Sequence, residues 1–378
     1  MTDYQVECLS ESRLCSLRRA GMLSVRNRGP ALMLGIIPHG TRPLDRNIRA
    51  AMESCYQNGL QVLNDLFASC SNPSAFDGNR LIPVVDGLSN GLIGDIDAAL
   101  DFCRLSNNDP TLALHSLNVS VLSMAIGIDL GYDERHIQTI GIAGLVHDVG
   151  MLRVSESIRQ SDRKLTDSES LDIQRHPVHT VNILSQMSTI PSLVQLVAYQ
   201  VHERPDGSGY PRGRDRTSIH PFARILHAAD AFLALTSRRP YRPPVMAYEA
   251  LVCLLKQAEQ NQVESEVIRS LLGALSLFPI GSHVELSDGR CARVVRANRN
   301  DFTRPLVAVD GGDQNHDLLD LSNSDVGVTQ ARPTPGSGEV PLSPEIANWR
   351  VRAASFLAAA GDSRPSGAGR LVTTSASA

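Results

Sequence analysis

The residues best equipped for chemistry gather at Gly144-Leu145-Val146-His147-Asp148-Val149-Gly150-Met151. A histidine and an aspartate stand side by side where an apolar, helix-like run ends. Asp148 offers a hard anionic oxygen and His147 a borderline nitrogen. Such a pair suits a divalent metal, and a carboxylate there can bridge to a second ion. Alone, an adjacent His-Asp pair carries little weight. Its company raises it, because His115, His176, His202 and Asp230 stand before and after it, each inside or at the end of a helical pattern. A helical bundle can turn side chains so placed onto a common metal centre. Spacing leaves a plainer reading equally open, in which each histidine is a partly buried residue with a satisfied hydrogen bond.

The elements that must position these residues are helices over 91–276. Leu112, Leu114, Val119, Leu122 and Ile126 form one helical stripe with His115 beside it. A second helix over 137–146 ends at the His-Asp pair. Thr166-Asp167-Ser168-Glu169 fits a capping box and starts another. Pro177 breaks that helix after His176, and Pro191 and Pro221 each open a new one, the last carrying Asp230. A polar, glycine-rich loop spans 204–217. Helices over 247–258 and 263–275 complete this part of the chain.

The flanks read differently. Residues 1–70 resemble a small α/β unit, with strands over 22–25 and 31–37, a helix over 46–57 stopped by Asn58-Gly59, and a third strand over 61–64. Its Arg13, Arg18, Arg19, Arg26 and Arg28 read as solvated surface. Residues 71–94 read as a linker and 95–276 as the helical domain. Residues 277–325 read as a small β-module, in which segments 284–286 and 292–295 flank the hairpin signal Asp288-Gly289. Residues 326–378 read as a Pro/Gly/Ser linker, a short helix after Ser343-Pro344-Glu345 and a disordered tail. The fold class expected is mainly α, a helical bundle between two small flanking units.

Composition excludes several function classes. The chain has 42% hydrophobic and 20% charged residues, an ordinary globular balance. Its 36 basic and 40 acidic residues give a net charge of -4, so nothing draws the whole protein to DNA, RNA or an anionic membrane. Seven cysteines are scattered without a close pair, which points away from a disulfide framework or a thiolate zinc site. No apolar run is expected to reach membrane-span length, and the location expected is cytoplasmic.

Larger motifs then add to the pair. His147-Asp148-Val149-Gly150, Arg175-His176-Pro177 and His202-Glu203-Arg204-Pro205-Asp206-Gly207-Ser208-Gly209-Tyr210-Pro211 occur in that order. Ala223-Arg224-Ile225, Ala229-Asp230, Ala234-Leu235-Thr236-Ser237 and Arg239-Pro240-Tyr241-Arg242 follow. Together these resemble the signature of HD-GYP domains, bacterial metal-dependent phosphodiesterases that open cyclic di-GMP to pGpG or GMP. The resemblance covers about residues 95–276. It implies that His115, His147, Asp148 and Asp230 hold one metal, and that Asp148 bridges to a second held by His176 and His202. Asp148 is the residue it places at the chemistry. It further implies iron, manganese or zinc, one or two ions, and substrate contacts from Arg204, Asp206, Gly207, Gly209, Tyr210 and Pro211. Cyclic di-GMP or a related nucleotide, a diguanylate cyclase domain and a second copy of the chain are the partners it suggests.

The match also fails at identifiable positions. Met151 stands where the family has a lysine, and a thioether supplies no positive charge. Val201 replaces the first of two adjacent histidines, so the second metal loses a ligand. Thr180 replaces a glycine, Leu233 an aspartate, and Thr111 an optional carboxylate. His179 and His227, one helical turn from His176 and Asp230, are candidates to replace the lost donor. Alternatives to a phosphodiesterase with a reduced site are a catalytically silent cyclic di-GMP sensor or interaction module, and an HD-type hydrolase of another phosphoester.

Overall fold

The computed structural model describes residues 46–106, 111–239, 242–299, 301–309 and 317–333. Its helices run in the order α1 Arg46–Ala68, α2 Leu81–Gly94, α3 Ile96–Ser106, α4 Leu112–Asp129, α5 Glu134–Val146, α6 Glu156–Arg159, α7 Asp167–Gln174, α8 His176–Leu184, α9 Ser192–Gln200, α10 Pro221–Thr236, α11 Ala247–Glu259 and α12 Ser265–Leu275.

Helix α4 is the axis of the bundle. From Ser116 to Ile128 every side is buried, so its sequence is apolar all round rather than on one stripe. By length and composition it could cross a membrane, contrary to the expectation from the sequence, but 78% of it is buried inside the fold. A core helix must satisfy the same apolar demand. Helix α5 starts at the Asp133 N-cap, whose carboxylate accepts the His136 N–H, and packs along α4. The two backbones nearly touch. A Cβ added at Gly144 would lie 2.6 Å from the Ser120 Cα, and the Ser120 hydroxyl donates to the Gly141 carbonyl at 2.8 Å. This close crossing sets the His115 end of α4 beside the His147 end of α5.

The described part of the N-terminal segment is helical, which corrects two expectations. Helix α1 runs straight through Asn58-Gly59 and through the stretch expected to be a strand at 61–64. Glycine is at position 59 for proximity, not for a stop: a Cβ there would meet Leu117 at 2.6 Å and Val84 at 3.1 Å. The stretch expected to be a linker holds the 3₁₀ turns Pro73–Ala75 and Gly78–Arg80 and then α2, which buries Leu81, Val84, Val85, Leu88 and Leu92 against the same core. The expected strands at 22–25 and 31–37, the arginines from Arg13 to Arg28 and the helix after Ser343 lie outside the described residues.

Beyond α12 the chain forms a five-stranded antiparallel sheet ordered β4-β3-β2-β1-β5: β1 His283–Leu286, β2 Cys291–Arg296, β3 Leu306–Val309, β4 Asp317–Asp320 and β5 Val328–Arg332. The Asp288-Gly289 turn joins β1 and β2 as expected, with Gly289 at φ +84°. Strand β5 falls in the stretch read as a linker. It pairs with β1 and buries Val328 and Ala331. The sheet is tied to the helices by Arg296, which bonds Asp95 at 2.5 and 2.8 Å and Asp97 at 3.4 Å, beside the start of α3.

Candidate metal centre

Helix termini supply most of the candidate ligands. His115 lies in the first turn of α4, behind Thr111, whose hydroxyl accepts the Leu114 N–H. His147 is the C-cap of α5, and Asp148 (φ -104°, ψ 8°) leads into the 3₁₀ turn Val149–Arg153. The Thr166 capping box starts α7 as expected, and α8 begins at His176 with Pro177 in its first turn, so the break falls at Arg175 rather than after His176. Val201 caps α9 and His202 follows it. Asp230 is in the body of α10, whose N-cap is His220 and whose first residue is Pro221.

The structure brings all six together. Asp148 Oδ1 is 3.1 Å from His176 Nε2, 3.6 Å from His147 Nε2 and 3.9 Å from His202 Nε2. Asp230 links the two halves, with Oδ1 3.0 Å from His115 Nε2 and Oδ2 3.7 Å from His202 Nδ1. Among the described residues, two donor clusters result, His115–His147–Asp148 and Asp148–His176–His202, sharing the Asp148 carboxylate.

The tautomers follow from carbonyl partners. His147 Nδ1 donates to Gly144 O at 2.8 Å, and His176 Nδ1 donates to Ile173 O at 2.7 Å. Both rings therefore turn Nε2 toward the centre, with the opposite nitrogen anchored as metal-binding histidines usually have it. His147 Nε2 and Asp148 Oδ1 are buried without a hydrogen-bond partner. Leaving such atoms unsatisfied costs about 1–3 kcal/mol each, or more for a charged group. His176 Nε2 and His202 Nε2 lie 2.9 Å apart, a spacing that demands either a shared proton or a cation between them. The orphaned atoms and the nitrogen–oxygen donor set fit a transition metal.

Electrostatics agree. Burial pushes the Asp148 carboxyl up, but the charges of His147 and His176 outweigh it and hold the group well below the usual carboxylate range. Asp230, likewise buried, is held down by its bond from His115 and the charge of His202. For His176, burial opposes protonation but Asp148 wins, so its pKa is raised; burial lowers that of His202.

The glycine-rich loop closes one side of the centre. Tyr210 stacks on His202, ring centroids 4.9 Å apart and planes 17° apart. The Tyr210 amide donates to His202 O at 3.1 Å. This fold-back needs Gly209, where a Cβ would collide with the backbone of His202, Glu203 and Arg204. Gly207 adopts φ +79°. The exposed Asp206 carboxylate is occupied by the Ser208 amide and hydroxyl at 2.9 and 2.7 Å.

The chain matches the HD domain family over residues 104–267. A cyclic di-GMP phosphodiesterase of Pseudomonas aeruginosa is 31% identical over 72% of this chain and 66% of that protein. This chain belongs to the HD-domain family. A 3′3′-cGAMP-specific phosphodiesterase of Vibrio cholerae is 37% identical over 40% of this chain and 35% of that protein. A cyclic di-GMP phosphodiesterase of Borreliella burgdorferi is 25% identical over 51% of each chain. The HD chain thus spans from about a third to about two thirds of the curated relatives it matches. Among solved structures, a protein described as Bd1817, a HDG"Y"P protein from Bdellovibrio bacteriovorus, gives a TM-score of 0.49 at 19% identity, covering 60% of this chain and 72% of that one.

Other residues of this HD domain near the centre have partners outside the donor clusters. Val201 is wholly buried in the hydrophobic core, where an imidazole would be a polar burden. Neither His179 nor His227 joins either donor cluster. His227 Nδ1 instead donates to Val201 O at 3.0 Å. Arg216 is held bidentately by Glu264 at 2.8 Å, and Arg212 Nε donates to Tyr199 OH at 2.9 Å. Sequence reading missed Glu203 as a positioning group. It is 1% exposed, and its carboxylate accepts the Arg212 and Arg214 amides at 2.8 Å each. A glutamate beside a candidate ligand histidine, directly before a loop that must fold back, was the available signal.

Proposed function

We propose that this chain is a phosphodiesterase of the HD-GYP branch, opening cyclic di-GMP to pGpG and GMP with a divalent transition metal. The observation that carries this reading is the convergence of two donor clusters on one shared carboxylate, Asp148. His115, His147, Asp148 and Asp230 would hold the first cation, and Asp148, His176 and His202 the second, iron, manganese or zinc all suiting these donors. When bound, such cations supply Lewis acidity toward a phosphodiester and a lowered water pKa.

The chain's own residues do the rest. Anchored Nδ1–H groups on His147 and His176 keep their Nε2 lone pairs aimed at the centre. Glu203 holds the loop folded so that Tyr210 covers His202 and excludes water from that side. Arg204, Gly207, Gly209, Tyr210 and Pro211 form the rim that meets the nucleotide, while Asp206 shapes the loop. The same exposed loop is the face offered to a diguanylate cyclase domain. Met151 brings no cation to the phosphate, so bound cations would have to supply more of the neutralisation.

The test is hydrolysis of cyclic di-GMP by the full chain loaded with manganese(II) or iron(II), with 3′3′-cGAMP alongside because relatives carry that specificity in their names. Linear pGpG or GMP, abolished by Asp148→Ala, supports the reading. Binding without turnover by the metal-loaded chain would assign it a sensor role.

A further inference from the structure

The chain carries Thr180 at a position where the resembled family has glycine, and the structure gives this threonine work that glycine cannot do. Its side chain is wholly buried in α8, one turn after His176. The Oγ1 donates to the His147 carbonyl at 3.0 Å and accepts the Gly150 amide at 3.0 Å. One hydroxyl thus uses its donor and an acceptor site on the two ends of the turn that carries Asp148. The turn and helix are already pressed together, since a Cβ at Gly150 would meet the His176 carbonyl, Thr180 N at 2.5 Å and Thr180 Oγ1 at 2.6 Å.

We infer that Thr180 is a positioning residue for the metal centre. Its hydroxyl clamps the helix bearing His176 to the segment His147–Gly150, and so sets the separation of the two donor clusters. This inference rests on the two-cation reading above. It explains how a second cluster with one histidine fewer, owing to Val201, keeps His176 within 3.1 Å of the shared carboxylate. Outer partners of this kind commonly change metal affinity by about 10–100-fold when removed.

The experiment is a manganese(II) titration of the metal-free full chain, following free ion by electron paramagnetic resonance. It compares wild type, Thr180→Val, Thr180→Ser and Thr180→Gly. Wild type is expected to take up two ions. Thr180→Val is expected to bind the weaker ion about 10–100-fold less tightly while retaining the tighter one, and Thr180→Ser to bind as wild type. Far-UV circular dichroism of the metal-free proteins separates misfolding from lost positioning. Should the valine variant not fold, Thr180→Gly carries the test, with the same loss of the weaker ion expected. Unchanged affinities in the folded hydroxyl-less variant, or a serine variant as weak as valine, overturn the role of Thr180 and leave the two-cation reading standing. A wild-type chain that takes up no metal overturns that reading and this inference with it.

Discussion

Replacing Glu203 by Gln changes one atom and removes one of the acceptors that fold the glycine-rich loop over the centre. The buried carboxylate receives two amides, from Arg212 and Arg214, at 2.8 Å each. An amide side chain keeps one acceptor oxygen and turns an NH₂ toward the other N–H. Hydrogen bonds to charged groups contribute about 1.5–3 kcal/mol each, so losing one shifts loop closure by roughly 10–150-fold, at 1.4 kcal/mol per tenfold. The loop can open without unfolding the bundle, so most of this loss stays local. Amide hydrogen exchange over residues 207–216 is expected to quicken by at least about tenfold in Glu203→Gln. Because Tyr210 then spends less time stacked on His202, kcat/KM for the cyclic dinucleotide is expected to fall by a similar factor, while metal content holds. Unchanged exchange at Arg212 and Arg214 would refute the argument that this carboxylate holds the loop.

Other outcomes follow from packing and charge. Gly150→Ala drives a methyl into the α8 backbone and is expected to destabilise the chain by about 1–3 kcal/mol or more, read by denaturant midpoint; an unchanged midpoint would show that the turn can move. Arg296→Ala strips Asp95 and Asp97 of their guanidinium and is expected to cost about 3–5 kcal/mol, with proteolytic cleavage appearing between α12 and β1. His227, pushed from 6.5 down to about 4 by burial and by Arg204, binds its proton more readily when unfolded. Metal-free stability is therefore expected to fall as pH drops from 6.5 toward 4, by about 3 kcal/mol from this group, and His227→Gln is expected to flatten that part of the profile.

The sequence announced the centre more clearly than its surroundings. Pro177, Pro221 and the Thr166 capping box marked helix starts that the structure keeps, because proline geometry and capping are local. The grouping of His115 with His147 and Asp148, and of Asp230 with His115 and His202, was legible through the family resemblance, not through spacing. What stayed hidden depends on tertiary neighbours. Gly59 reads as a helix stop until Leu117 is seen against it. Helix α4 lacks a polar face because every side is covered, so a stripe captures only part of its burial. Strand β5 is short, and its identity comes from pairing with β1 across a long separation. Thr180 reads as a lost glycine until its hydroxyl is found between His147 and Gly150.

Metal content per chain, measured by mass spectrometry on wild type and Asp148→Ala after equilibration with manganese(II) and removal of free ion, tests the shared-carboxylate centre most directly. Wild type should retain two ions and the variant, stripped of the carboxylate both clusters share, fewer than one. Equal retention by the two proteins, or none by wild type, would contradict it.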